Sequence, residues 1–473
     1  MRPADSALVI RPDMCCGEVV ERLAAGLALC AIVVDAAQRP IGILTDQDIA
    51  RRIAYRADPH TPVETLMTWP VATVSRREHL HAAIARMRRQ NLQQMPVLDR
   101  SGRLVGLIVV DDALSAASAG LMRQIDRLSR EDTLEGMKEV KAAQVELAED
   151  LFAEHLPAPE IQQLLTRINN DMYRRIGERV LEQMASEGWG TPPAAAATIV
   201  LGSGGRGENY LFPDQDNGFI IADYPDSDHA GVDAFFIELA ERMCRDLNEI
   251  GIPYCNGYCM AVNPLWRKTL SQWIAQIALW TRKSSQVTIR LADIFFDFQS
   301  VWGEAQLARE LRQTVTRLVR NNRSFLRQMY QDKLEHRVAL GLFGGFVTER
   351  HNPEHRGQVN LKYTGTLPLV SAIRLLALRE GVEETSTLSR ITALTERGVL
   401  QASERETLSE AFRIVTDTLL RYQIADFRAG QRVGYYIDPN TLGKRDRTAL
   451  LAALRNIHAL RKRAHLEFAA HVF

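Results

Sequence analysis

Apolar and polar positions follow three successive rhythms along this chain. In the first quarter, Val33-Val34-Asp35, four further residues and Pro40-Ile41-Gly42-Ile43-Leu44 recur 64 positions later as Val97-Leu98-Asp99 and Leu104-Val105-Gly106-Leu107-Ile108. Each copy reads as strand, turn and strand with a helical pattern on either side, and such repetition predicts two similar units that pack together. From residue 116 to about 186 the apolar spacing lengthens to threes and fours: Leu121, Ile125 and Leu128, then Leu134, Met137 and Val140, and, past Pro157 and Pro159, Ile161, Leu164, Leu165, Ile168 and Met172. That pattern predicts connecting amphipathic helices whose stripe is buried in the core or in a dimer seam. Short buried strands are expected at 198–201 and 219–221, and a helix at 230–250. Trp266, Trp273 and Trp280 fall at sevens as one helix face would, with Asn263 as the cap of that helix. Beyond about residue 304 the pattern is almost wholly helical.

At 473 residues the chain is too long for one ordinary core, and these rhythms divide it into 1–58, 59–116, 117–190, 191–304 and 305–473. Lysine plus arginine equals aspartate plus glutamate at 58 each, so no global field favours nucleic acid or an anionic membrane. The apolar run 23–34 is about a dozen residues, whereas a spanning helix needs roughly twenty, so no membrane span is expected. The first residues carry an early acid and no secretory pattern, and a cytoplasmic protein is expected. Six cysteines do not make a disulfide scaffold in a chain of this length. Cys255 and Cys259 are four apart but lack a second pair of ligands in sequence, and reduced structural thiols are the expectation.

The candidate chemistry lies in Gly202-Ser203-Gly204-Gly205-Arg206-Gly207-Glu208-Asn209, followed by Asp214-Gln215-Asp216. Glycines directly after a strand let backbone N–H groups approach a ligand without hindrance from Cβ, so the turn can cradle phosphates. If Asp214 and Asp216 lie on the next strand, its period of two puts both carboxylates on one face, where they can hold Mg²⁺ or Mn²⁺. Two such ions roughly 3.5–4 Å apart would stabilise the attacking and leaving oxygens of an in-line displacement.

Gly-Ser, about ten residues, then Asp-x-Asp resembles the signature of the polymerase beta-like nucleotidyltransferases. The Gly-Ser-Gly-Gly-Arg-Gly-Glu run is most similar to the branch of PII-protein uridylyltransferases and glutamine synthetase adenylyltransferases. The resemblance implies a mixed-sheet catalytic domain that moves NMP from a nucleoside triphosphate to an acceptor hydroxyl. It implies that Gly202, Ser203, Gly204, Gly205 and Arg206 face the nucleotide, that Asp214 and Asp216 are catalytic metal ligands, and that a third carboxylate follows on a later strand. Asp293 and Asp297 are the candidates, since four residues apart in an extended strand they share a face. Asp297 is preferred for its apolar neighbours on both sides. Relatives carry arginine two residues after this aspartate, where Gln299 stands here.

The N-terminal repeat resembles a tandem pair of cystathionine beta-synthase (CBS) domains, through Gly42-Ile43-Leu44-Thr45-Asp46-Gln47-Asp48 and Leu66-Met67-Thr68. This implies an α/β pair that binds AMP or ATP. Thr45 meets the phosphate and Asp48 the ribose in the first copy, while in the second Asp112 keeps the acid and Val109 replaces the hydroxyl. The helical C-terminal region resembles the substrate-binding region of CBS-linked members of the branch, with Lys362 a candidate for nucleotide contact.

The combined expectation is an α/β and α multidomain protein: a CBS pair, a helical connector, a nucleotidyltransferase domain and an all-α C-terminal domain, assembled as a homodimer. A protein acceptor is the first choice. A nucleotide-binding sensor without turnover, and RNA or small-molecule nucleotide transfer, stay open beside it.

Overall fold

The repeated strand–turn–strand signal is built twice. The computed structural model describes residues 2–3, 7–24, 28, 30–45, 48–49, 57–76, 78, 83, 86–87, 92–109, 133–283, 285–320, 322–332, 337–341 and 344–469, and the chain divides into two compact units, 1–124 and 125–473. In the first unit the helix α1 is Cys16–Ala24 and the strands are β1 Arg2–Pro3, β2 Leu8–Ile10, β3 Ala31–Val34, β4 Pro40–Leu44, β5 Val74–Ser75, β6 Gln94–Leu98 and β7 Leu104–Val109. They form one sheet in the order β2-β3-β4 and another in the order β1-β7-β6-β5. In each copy the first strand runs parallel to the second and the second antiparallel to the third.

Local detail repeats as well. The register slips between Val33 and Val34 in one copy and between Val97 and Leu98 in the other. Asp35 ends its strand by accepting the Ala37 and Arg39 N–H groups at 2.8 and 2.9 Å, and Asp99 does the same with Ser101 and Arg103. A short side chain that closes its own turn sets the hairpin. A cluster of Cys30, Ile32, Val34 and Ile43 from the first copy with Leu107 from the second joins the two sheets.

In the second unit, helices α2 (Leu134–Ala153) and α3 (Ala158–Ser186) precede a sheet of β8 (Ala196–Val200), β9 (Asn217–Ile221), β10 (Arg267–Thr269) and β11 (Gln299–Gly303), ordered β10-β9-β8-β11. β8 pairs antiparallel with β9 and β11, while β9 and β10 are parallel, so the sheet is mixed. The helices between these strands are α4 (Gly202–Arg206), α5 (His229–Glu249), α6 (Leu270–Arg282) and α7 (Gln286–Phe295). The remainder is α8 (Ala305–Arg320), α9 (Arg323–Asp332), α10 (Leu367–Glu380), α11 (Thr387–Glu396), α12 (Ala402–Arg428) and α13 (Lys444–Ala469), with a two-strand ladder of Val359–Asn360 and Tyr436–Ile437 inside an otherwise helical region. No helix among the described residues is long and apolar enough to cross a membrane.

The fold departs from the sequence expectations at four points. The helices read as a connector are part of the second unit: the Ala158 N–H at the start of α3 donates to Asp417 on α12 at 2.6 Å, and Arg428 pairs with Glu149. Their leading stretch, Leu121, Ile125 and Leu128, lies outside the described residues. Asp293 and Asp297 do not share a strand, because Ile289, Ala292 and Phe295 at intervals of three bury one face of α7. Asp293 is on that helix and Asp297 in the turn that follows. Trp266 precedes β10 instead of joining a helix, though it still packs on Trp273 with ring centroids 6.1 Å apart. The cap of α6 is Thr269, whose hydroxyl accepts the Gln272 N–H, and not Asn263.

Candidate active site

β8 runs directly into α4, a single helical turn. Gly202 opens it at φ +55° and Gly207 closes it at φ +73°, both in the left-handed region. Gly205 is required by contact: a Cβ there would stand 1.6 Å from the Asp297 carbonyl oxygen. The Leu201 N–H donates to the Asp216 carbonyl at 2.9 Å, which sets the glycine turn beside the aspartates. Ser203 Oγ donates to Asn209 Oδ1 at 3.0 Å.

The segment Asp214-Gln215-Asp216 directly precedes β9, which begins at Asn217, so the two aspartates are not on the strand itself as expected. Its central residue turns inward: Gln215 is buried, its backbone N–H donates to Pro253 O at 2.8 Å, and its amide donates to Cys244 O and Ile252 O at 2.8 and 2.9 Å. With Gln215 so held, the period of two turns Asp214 and Asp216 to the other side. Together with Tyr173, Ser203, Gly204 and Asn209 they line one cleft. Among the described residues neither carboxylate is ion-paired to a lysine or arginine. Burial pushes the Asp216 carboxyl well above the usual range, the negative charge of Asp214 adds to this, and the charge of Lys362 opposes it. Lys362 lies in a π-helical turn, Lys362–Thr366, with its ammonium 4.1 Å above the Tyr435 ring.

Asp297 is placed differently from the expectation of a third metal ligand. It is fully buried, with Arg206 Nη1 at 2.7 Å and Arg374 Nε at 3.1 Å from Oδ2, and Arg390 Nη1 at 2.7 Å from Oδ1. Burial opposes its charge, but Arg374, Arg390 and Arg206 overcome that and hold the carboxyl below the ordinary range. With both oxygens held by guanidinium groups, it is not available to a metal ion. Arg206, expected at the nucleotide, is buried in the same network, with Glu208 Oε2 2.6 Å from its Nε. Glu208 Oε1 accepts the Thr387 N–H at 2.7 Å, and Arg374 also pairs with Asp293.

The sequence did not point to the surroundings of Asp216. Its carboxylate and the sulfurs of Cys255 and Cys259 all lie within 4.8 Å of one another. A hydrogen bond from Cys259 pulls the Cys255 thiol down, and the same contact with burial raises Cys259. No sequence signal ties Asp216 to a Cys-x3-Cys pair some forty residues on, because the link is made only when segment 253–259 aligns on β9.

In the first unit Thr45 and Asp48 are together. Thr45 Oγ1 donates to Asp48 Oδ2 at 2.8 Å and Thr68 Oγ1 to Asp48 Oδ1 at 2.9 Å, while the Asp48 N–H donates to Thr45 Oγ1 at 3.4 Å. This is a cap-like arrangement in which both carboxylate oxygens accept internal hydrogen bonds. Asp112 lies outside the described residues.

The glycine turn and the two carboxylates share one cleft beside a mixed sheet, and one of the family models matches the same part of the chain. Residues 142–287 match the family model described as "Putative nucleotidyltransferase DUF294", residues 323–468 the one described as "Putative nucleotidyltransferase substrate binding domain", and residues 63–119 the CBS domain. The chain carries nucleotidyltransferase-family domains together with a CBS domain. Among curated relatives it is similar to an uncharacterized 17.7 kDa protein of Acidianus ambivalens, 26% identical over 108 residues, 23% of this chain and 65% of that one. A homoserine O-acetyltransferase of Methanococcoides burtonii is 35% identical over 72 residues, 15% of this chain and 14% of that one. The chain thus spans less than two thirds of the length of these relatives. Among solved structures it is similar to a CBS domain protein of Pyrobaculum aerophilum complexed with AMP, at 24% identity over 24% of this chain and 89% of that one, with a TM-score of 0.22. The cytosolic domain of the Mg²⁺ channel MgtE in complex with ATP is 31% identical over 24% of this chain and 45% of that one, with a TM-score of 0.22.

Proposed function

We propose that this protein transfers a nucleoside monophosphate from a nucleoside triphosphate to an acceptor hydroxyl on a protein, in a reaction that depends on Mg²⁺ or Mn²⁺. The observation that carries this reading is that Asp214 and Asp216 line one cleft and that, among the described residues, neither is ion-paired to a lysine or arginine. Two neighbouring carboxylates, one with its pKa raised by burial and by the charge of the other, form a site with excess negative charge that fits a hard divalent ion. When bound, that ion would supply charge neutralisation at the phosphates and a more acidic acceptor hydroxyl. The chain's own residues position: the glycine turn leaves room for phosphate oxygens, Lys362 brings positive charge to the same side, and Gln215 holds both aspartates in register. The acceptor oxygen forms its bond to the α-phosphorus as the bond to the bridging oxygen breaks, pyrophosphate leaves, and the hydroxyl proton passes to solvent.

A protein acceptor, a cytoplasmic setting and a homodimer belong to the same reading, as does an adenine nucleotide bound at Thr45 and Asp48 that regulates transfer. A second reading, nucleotide binding without turnover, is favoured by one observation: Asp297 is occupied by arginines, which leaves two carboxylates where three were expected. Incubation with each α-labelled nucleoside triphosphate, Mg²⁺ or Mn²⁺ and a cell lysate separates the two. Transfer predicts label in a protease-sensitive product with the wild type and none with Asp216→Asn. Bound nucleotide with no label under any condition sinks the transferase reading, and nuclease-sensitive label sinks the protein acceptor. For the regulatory site, equal thermal shifts by AMP in wild type and Asp48→Ala would sink that assignment.

A further inference from the structure

The segment 253–259 lies along the edge of the aspartate strand and delivers two sulfurs to it. The Gln215 N–H donates to Pro253 O at 2.8 Å and the Asn217 N–H to Cys259 O at 2.9 Å, so the backbones on either side of Asp216 are tied to the cysteine turn. The turn itself is closed by the Tyr258 N–H on Cys255 O at 3.0 Å, with Tyr258 at φ +55° and its carbonyl held by Asn263 Nδ2 at 3.1 Å. Gly257 sits between the sulfurs: a Cβ there would be 3.5 Å from one and 3.7 Å from the other. Both cysteines are free thiols and both are buried.

We infer that Asp216, Cys255 and Cys259 form a site for one soft or borderline divalent cation of the Zn²⁺ class, with a fourth position open to water or a phosphate oxygen. The donor set selects the ion. Thiolate sulfur is a poor ligand for Mg²⁺ or Mn²⁺ and a good one for zinc, cobalt or cadmium. Two sulfurs on one tetrahedral zinc stand about 3.8 Å apart, given a Zn–S bond of about 2.3 Å. The three donor atoms all lie within 4.8 Å of one another, so side-chain adjustments of no more than about 1 Å bring them to that geometry. Three protein ligands with one open position is the pattern of zinc sites that keep a reactive position, whereas purely structural sites close the tetrahedron with a fourth protein ligand. Cys244 does not belong to the set, since its thiol is directed at Asn217 Oδ1, 3.9 Å away. The site stands on these donors alone and does not depend on nucleotidyl transfer. Because Asp216 is common to it and to the hard-ion pair with Asp214, a zinc-class ion occupies an oxygen that Mg²⁺ would use.

Cobalt titration of the reduced full-length chain under anaerobic conditions tests the site with a readout separate from activity. The expected result is a thiolate-to-cobalt charge-transfer absorption that saturates at one ion per chain and is displaced by Zn²⁺. The absorption should be lost in Cys255→Ser and in Cys259→Ser, weakened in Asp216→Asn and retained in Cys244→Ser. Alkylation of the wild type followed by peptide mass spectrometry needs no variant: Zn²⁺ should protect Cys255 and Cys259 and leave Cys15 reactive. Absence of the absorption, its survival in the Cys255→Ser, Cys259→Ser double variant, or unchanged alkylation of both cysteines overturns the site.

Discussion

Arg206, on the glycine-rich turn, donates to Asp297 at 2.7 Å across 91 residues of sequence, and the two are almost completely shielded from solvent. Arg374 and Arg390 complete a set of three guanidinium groups on one carboxylate. Removing one partner of a buried ion pair leaves charge without compensation, which costs roughly 3–5 kcal/mol. Asp297→Asn is therefore expected to lower the stability of the second unit by about that amount, measured by urea unfolding. Binding of Mn²⁺ by the folded protein should be unchanged. Normal stability with lost Mn²⁺ binding would instead return Asp297 to the metal site.

Adjacent glycines of the turn should respond in opposite ways to the same methyl group. In Gly205→Ala the new Cβ falls 1.6 Å from the Asp297 carbonyl oxygen, a backbone atom that cannot withdraw without moving the turn. In Gly204→Ala the nearest atom is the Val200 Cβ at 3.4 Å. The first variant is expected to lose at least roughly 3 kcal/mol or fail to accumulate, and the second to stay within about 1 kcal/mol of wild type. Comparable melting temperatures for the two would contradict the close approach.

Lys141 should govern part of the pH dependence of stability. Its ammonium is buried with three oxygen acceptors, Gln144 Oε1 at 2.6 Å, Leu211 O at 2.9 Å and Asn169 Oδ1 at 3.4 Å. Burial pulls its pKa from 10.5 down to about 7. Between those values the unfolded chain keeps a proton that the folded chain has released, so stability rises with pH across this window and the penalty is full below it. Lys141→Met should flatten that rise, read from urea midpoints at pH values on either side of the window. An unchanged slope would mean that another group is responsible.

Asp48 should act first as a cap. Losing its bonds to Thr45 and Thr68 is expected to cost roughly 1 kcal/mol in Asp48→Ala, measured by thermal melting in the absence of nucleotide. A neutral effect would show that these bonds are replaced by water at no cost.

The sequence was readable where a signal is local. The 64-residue repeat announces itself because each hairpin is closed by its own aspartate, Asp35 or Asp99, and the residues that define the turn are neighbours in the chain. Asp214 and Asp216 line one cleft although they precede β9 instead of lying on it, as the short spacing alone could not tell. Asp297 was not readable either. The apolar run Ile294-Phe295-Phe296 is too short to separate strand from helix by periodicity, and the arginines that claim its carboxylate come from α4, α10 and α11. The connector was misplaced for a related reason: an amphipathic stripe states that a face is buried, not against what, and Asp417 and Arg428 lie more than 250 residues from their partners. Asp216 beside Cys255 and Cys259 was hidden the same way, since only the strand-edge alignment at Pro253 and Cys259 brings the donors together.

The Asp297 hub has a consequence for how this architecture can be cut or recombined. A boundary drawn at residue 304 separates Arg206 and Asp297 from Arg374 and Arg390, and so leaves one fragment a buried anion short of two counter-charges and the other two bare guanidinium groups where helices should meet. The mixed sheet and the helices behind it are thus held as one body. A graft of either part from a relative will fold only if it brings, or finds, the matching half of that four-residue contact.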